Sequence, residues 1–126
     1  MDIFVFEFVT GGGFLGGEQP PLSLLAEGRA MLRALVEDFC RVPKVNVMAT
    51  CDQRFPLELP SCQLTEVATA EQCEAAFESL AARAEWTVVI APEFDGLLEK
   101  FAGRVVAVGG RLLGPAPECI AIAADK

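Results

Sequence analysis

The sequence predicts an α/β domain of three layers, a mostly parallel sheet covered by helices on both faces. Three observations point there. Short apolar runs rich in β-branched and aromatic residues, such as IFVF near the start and WTVVIA at 86–91, read as strands buried on both faces. Stretches with apolar residues at helical spacing lie between those runs, and alternation of this kind implies parallel strands joined by covering helices. Glycines and prolines punctuate the junctions.

In the stretch from Asp2 to Gly17, a short β-branched and aromatic run reads as the first strand and ends in a loop carrying Gly11, Gly12, Gly13, Gly16 and Gly17. Glycines cost backbone entropy on folding unless the chain needs positive φ or close approach, so this loop is the expected working edge. EQPPLS follows, and its paired prolines forbid helix. Ser23 is then placed to cap a helix running to about Arg41, with Leu25, Leu32, Leu35, Val36 and Phe39 on its apolar face. Pro43 stops that helix, and KVNVMAT at 44–50 reads as the second strand. DQRFPLELPS is a loop, and a short extended piece follows at 62–67.

Thr69 with Gln72 forms a capping box for a second helix, whose stripe is Cys73, Ala76, Phe77, Leu80 and Ala84. After the WTVVIA strand, Pro92 suits the first turn of a helix through about Phe101, with Gly103 ending it. Arg104 to Val108 then reads as one more buried strand, closed by Gly109 and Gly110. Pro117 would start a last helix that is still running at Lys126, so the natural polypeptide is expected to continue.

A chain of 126 residues, 52% hydrophobic, is one domain with a real core. Its formal charge of −8 and its ten scattered Lys and Arg disfavour nucleic acid as a partner. No apolar run reaches the length of a membrane span and no basic leader is present, so a cytoplasmic protein without membrane partners is expected. Cys40, Cys51, Cys62, Cys73 and Cys119 are widely spaced, with no CxxC pair and no His in the chain. Zinc sites, disulfide frameworks and His-dependent nucleophiles are all disfavoured, and Cys51 is expected to be a buried structural thiol.

In parallel sheets ligands sit outside the carboxyl ends of the strands, where the strand order reverses. Four loops are expected at that edge: Thr10 to Gly17, Asp52 to Arg54, Glu93 to Asp95, and Gly109 to Arg111. Gly11, Gly13 and Gly16 satisfy GxGxxG formally, but GGEQPP separates them from the next helix, and Asp52 lies well beyond the usual ~20-residue offset. A glycine loop facing a small substrate is the better fit, and a free-standing dinucleotide module is the alternative. Glu7, a carboxylate within an apolar strand, needs a buried partner or a ligand. Asp52 and Arg54 alternate onto one side, suited to a zwitterion or to a salt bridge with each other. Glu93 is either a ligand contact or a favourable charge in the first turn of a helix.

Four phrases together resemble one family: IFVFEFVTGGG, SLLAEGRAMLRALVEDF, VVIAPEFDGLLEKF and LLGPAPECIAIAADK. They are similar to the N-terminal domain of bacterial and archaeal ATP-grasp ligases of the tyramine-glutamate ligase kind, which are associated with methanofuran-type cofactor synthesis. The resemblance implies a Rossmann-like domain of pre-ATP-grasp type spanning 1–126, with the catalytic core expected after Lys126. It implies ATP and magnesium for the intact enzyme, with neither held by these residues, and amide formation through an acyl phosphate. It gives Thr10, Gly11, Gly12 and Gly13, with Glu7, Asp52, Arg54 and Glu93, a substrate-facing role toward an amino acid and an amine. Asp125 and Lys126 would enter the linker to the core, and Ala116 stands where the family often has Ser. The fragment alone is expected to be inactive, and a structural or dimerising role as a homodimer stays open.

Overall fold

In the computed structural model, which describes residues 1–113, four parallel strands stand in the order β3-β2-β1-β4. β1 is Asp2–Glu7, α1 Leu22–Cys40, β2 Asn46–Asp52, β3 Cys62–Val67, α2 Ala70–Arg83, β4 Trp86–Ile90 and α3 Leu97–Ala107. Central β1 pairs with β2 from Asp2↔Asn46 and with β4 from Ile3↔Trp86 to Glu7↔Ile90. The three-layer α/β architecture expected from the sequence is the one observed.

Alternation along β1 builds both halves of the core. Ile3 and Val5 face α1, where Leu32 and Val36 pack with Val47, Ala49 and Val88. Phe4 and Phe6 face the opposite layer, meeting Phe77 of α2 and Phe101 of α3. Phe77 lies edge-on to Phe6 at 4.8 Å and to Phe101 at 5.1 Å between ring centres. The chain reaches β3 from β2 without a helix, and Leu57 and Leu59 of that irregular crossing fill in beside α1.

The capping box of α2 is present: the Thr69 hydroxyl accepts from the Gln72 amide at 3.1 Å, and the Gln72 side chain accepts from Ala68 N at 2.8 Å. Ser23 does not cap α1. That helix begins two residues earlier, at Leu22, with Pro21 at the N-cap position, φ −57°, and no side chain caps it. β2 starts two residues later than the apolar pattern suggests and runs on to Asp52.

The expected helix from Pro92 and strand at 104–108 are one element in the structure. Asp95 and Gly96 both have positive φ, 54° and 63°, so no helix can run through them, and α3 starts at Leu97. Arg104–Val108 is then its last stretch and C-cap. Phe101, Ala102 and Val105 supply the buried face while Val106 is 63% exposed, which a strand buried on both faces would not allow. Gly103 lies inside the helix. The strand position next to β4 is taken up only at Leu112, which bridges Thr87 in parallel. The expected helix from Pro117 and the Asp125–Lys126 linker lie outside the described residues.

Candidate functional site

β2 and β3 lie on one side of β1 and β4 on the other, so the strand order reverses between β1 and β4. The loops after these strands meet above Glu7 and Ile90. Two hollows flank them. One, of about 180 Å³, lies on the α2 and α3 side and is lined by Phe8, Gly12, Gly13, Glu74 and Lys100 among others. The other, of about 80 Å³, lies on the α1 side between Glu7, Leu24, Glu27, Met31 and Pro92.

The glycine loop is packed onto the strand ends. Gly11 N donates to Glu7 O at 2.8 Å, Gly13 N to Phe8 O at 2.8 Å, Leu15 N to Gly12 O at 3.1 Å and Gly17 N to Phe14 O at 3.2 Å. These amides are spent on the loop's own turns and are not offered to a phosphate. The Gly11 carbonyl accepts from Thr50 Oγ1 at 2.8 Å and from Cys73 Sγ at 3.5 Å, and Asp52 N donates to Thr10 O at 2.8 Å. A Cβ on Gly11 would lie 2.6 Å from both Glu7 O and Thr50 Oγ1, and Gly12, at φ 106°, would meet Val67 at 2.7 Å. The glycines of this loop therefore serve close approach within the domain as much as any ligand. Gly12 and Gly13 still line the larger hollow, whereas Thr10 and Gly11 are buried beneath it.

Glu7 is not exposed, and among the described residues it has no counter-charge. It is 2% exposed, with Oε1 accepting from Thr10 N at 2.7 Å and Oε2 from Val9 N at 3.1 Å. α1 comes down on the carboxylate at Gly28, where any Cβ would collide with it. Burial pushes the Glu7 carboxyl above its ordinary value, and the two amides only partly oppose this. A carboxyl with a raised folded pKa holds its proton more tightly when folded, so it favours the folded state at low pH and loses that contribution as pH rises. In urea titrations the protein is expected to lose stability from about pH 4.5 upward, and Glu7→Gln to flatten that decline. An unchanged slope in the variant would assign the pH dependence elsewhere.

Asp52 and Arg54 do face each other, and they are occupied with each other. Arg54 Nη2 donates to Oδ2 at 2.8 Å, Nε to Oδ1 at 3.1 Å and the Arg54 amide to Oδ1 at 3.0 Å. Asp52 is fully buried and keeps no free edge for a zwitterion. Glu93 is exposed on the bend before α3, ahead of the helix rather than in its first turn. Gly109 to Arg111 is not at this edge: Arg111 O accepts from Thr87 N at 2.8 Å, and its guanidinium stacks on Trp86 at 4.4 Å, both at the amino end of β4.

Sequence reasoning missed Lys100 and Glu74. In a helix from Pro92 to about Phe101, Lys100 falls near the end. The true start at Leu97 brings Lys100 into the first turn, beside the hollow, with Nζ 5.9 Å from the centre of the Phe101 ring. The left-handed pair Asp95-Gly96 was the available signal, since Asp-Gly marks a turn. Across the hollow Glu74 accepts from Arg104 at 3.2 Å, tying α2 to α3. Burial disfavours the thiolate at three cysteines, pushing Cys51 up, Cys73 to about 11 and Cys62 to about 12. Among the described residues no group of three His, Cys, Asp or Glu is placed to hold a metal, and no helix is long and apolar enough to cross a membrane.

Residues 45–120, more than half of the chain, match the family model of the pre ATP-grasp 3 domain. No curated protein matches the chain in sequence. A crystal structure from Archaeoglobus fulgidus, described as that of an ATP-grasp superfamily protein, superposes with a TM-score of 0.64 at 19% identity over 90% of this chain. The chain spans about a third of that protein's length, 33%.

Proposed function

The chain belongs to the pre ATP-grasp 3 domain family, and from that premise we propose that it is the substrate-side, N-terminal domain of an ATP-dependent carboxylate-amine ligase. The family match over residues 45–120 carries this reading. The hollow between the glycine loop, α2 and α3 supports this reading, since Lys100 lines it beside apolar walls at the carboxyl edge of the sheet. Such a surface suits the carboxylate end of a small substrate. Glutamate with an aromatic amine, joined through an acyl phosphate as in tyramine-glutamate ligase and in methanofuran-type cofactor synthesis, is the specific form of the proposal.

ATP and magnesium belong, in this proposal, to the catalytic core of the intact ligase. Among the described residues the amides of Gly11, Gly13, Leu15 and Gly17 are engaged within the loop and no acidic cluster is placed for a metal, which supports assigning both to that core. The same engagement argues against a free-standing dinucleotide module, the reading that GxGxxG alone would favour.

The test is an amide-ligase assay on the intact protein, following ADP release with glutamate and a panel of amines. Amine-dependent release supports the proposal, and ATP binding without release for any carboxylate and amine pair would overturn it. Lys100→Ala in that enzyme is expected to raise KM for the carboxylate about tenfold or more while leaving the KM for ATP unchanged, and Lys100→Arg to recover most of it. A change in the ATP constant alone would move Lys100 to the nucleotide side.

A further inference from the structure

Four thiols are free among the described residues, and they fall into two kinds. Cys51 and Cys73 are buried, Cys73 with its Sγ turned onto the Gly11 carbonyl. Cys40, in the last turn of α1, and Cys62, the first residue of β3, are only partly buried and pack against the same apolar layer between α1 and the sheet. Cys40 Sγ donates to the carbonyl of Ser61 at 3.5 Å. That carbonyl belongs to the peptide bond leading into Cys62, so the Cys40 sulfur sits one peptide unit from the Cys62 Cα. Cys40 also opens onto a groove of about 390 Å³ between α1 and the crossing from β2, lined by Arg33, Arg41, Glu58, Pro60 and Ser61. This groove is at the far end of α1 from the glycine loop.

We propose that Cys40 and Cys62 are a paired redox modification site, in which Cys40 takes up a low-molecular-weight disulfide from the groove and Cys62 resolves it. In the first step the Cys40 thiolate attacks one sulfur of R–S–S–R, forming a Cys40–S–S–R bond and releasing R–S⁻. In the second the Cys62 thiolate attacks the Cys40 sulfur, forming Cys40–S–S–Cys62 and releasing the second R–S⁻. Two protein thiols are oxidised, one small disulfide is reduced to two thiols, and the two protons lost by the cysteines balance the thiolates released. The order follows from access: Cys40 opens onto the groove, while burial and the charge of Cys40 push the Cys62 thiol up to about 12 and make it the slower partner. The product would tie the end of α1 to the first residue of edge strand β3.

The experiment uses the whole chain with Cys119→Ser, incubated with glutathione disulfide and read by intact mass and peptide mapping. The expected result is a loss of about 2 Da with a Cys40–Cys62 linked peptide, and a melting temperature raised on the order of 5–10 °C that returns on reduction. In Cys62→Ser the expected result is one glutathione retained on Cys40. A chain that stays fully reduced, separate adducts on Cys40 and Cys62 without cross-linking, or a Cys62→Ser variant that takes up no glutathione would each overturn the proposal. Cys62→Ser replaces a half-buried thiol and should fold, which an unchanged melting temperature in reductant would verify.

Discussion

Phe77→Ala is expected to remove about 3–5 kcal/mol of stability, the usual cost of deleting a fully buried aromatic side chain. Phe77 is 0% exposed and is the ring through which α2 reaches both Phe4 and Phe6 of the central strand and Phe101 of α3. Its removal opens a cavity where three elements meet, and Phe4, Phe6 and Phe101 can fill it only by abandoning their tilted contacts with each other. A domain of this size has about 5–15 kcal/mol in total, so the variant should unfold at far lower denaturant or fail to fold at 37 °C. Chemical denaturation followed by far-UV circular dichroism measures this directly. A loss under about 1.5 kcal/mol would mean that the α2 layer repacks freely and that this aromatic cluster does not organise the core.

Gly11→Ala comes next in size, at on the order of 2–3 kcal/mol, the upper part of the range for overpacking. One of the two atoms 2.6 Å from the new methyl is the backbone carbonyl of Glu7, inside the sheet, so relief requires the loop itself to lift. Lifting it breaks the Thr50 and Cys73 contacts to the Gly11 carbonyl as well. Gly103→Ala is the matched control: nothing lies within 4 Å of its Cβ position, and alanine in a helix interior gains up to about 1 kcal/mol over glycine. Equal effects at the two positions would show that the loop is not packed as described. Amide exchange at Gly13 and Leu15 should also accelerate in Gly11→Ala and remain slow in the control.

The strands of this fold were legible where burial is two-sided. Ile3–Phe6 and Trp86–Ile90 are continuous apolar runs because helices cover both of their faces, and the Thr69 capping box marked α2 for purely local reasons. The region after Ile90 was misread because its local signals conflict. Pro92 suits a helix start, yet Asp95 and Gly96 adopt positive φ, and Val105-Val106 has strand composition although only Val105 is buried. That error moved two assignments at once: it put Gly109–Arg111 at the wrong edge and hid Lys100.

At the site, the edge itself was legible and the chemistry of its residues was not. Asp52 and Arg54 reach the same side, as alternation requires, but whether they face a ligand or each other depends on the turn that brings the Arg54 amide back to Asp52. Glu7 was conspicuous as a charge in an apolar strand. Its partners, two backbone amides two and three residues on, leave no mark in the side-chain pattern. The packing of the glycine loop against Phe8, Thr50 and Val67 is long-range and could not be read from the glycines alone.

The glycine loop is fastened from within by four of its own amides and from below by Thr50 and Cys73. A molecule arriving at this edge would therefore meet a surface that is already assembled. Ordering a free loop costs about 1–2 kcal/mol for each residue fixed, and that cost is met when this chain folds, before any encounter. Recognition here is expected to be rigid: close analogues that differ by one bulky group should be rejected outright, because the wall they press against has no slack to give.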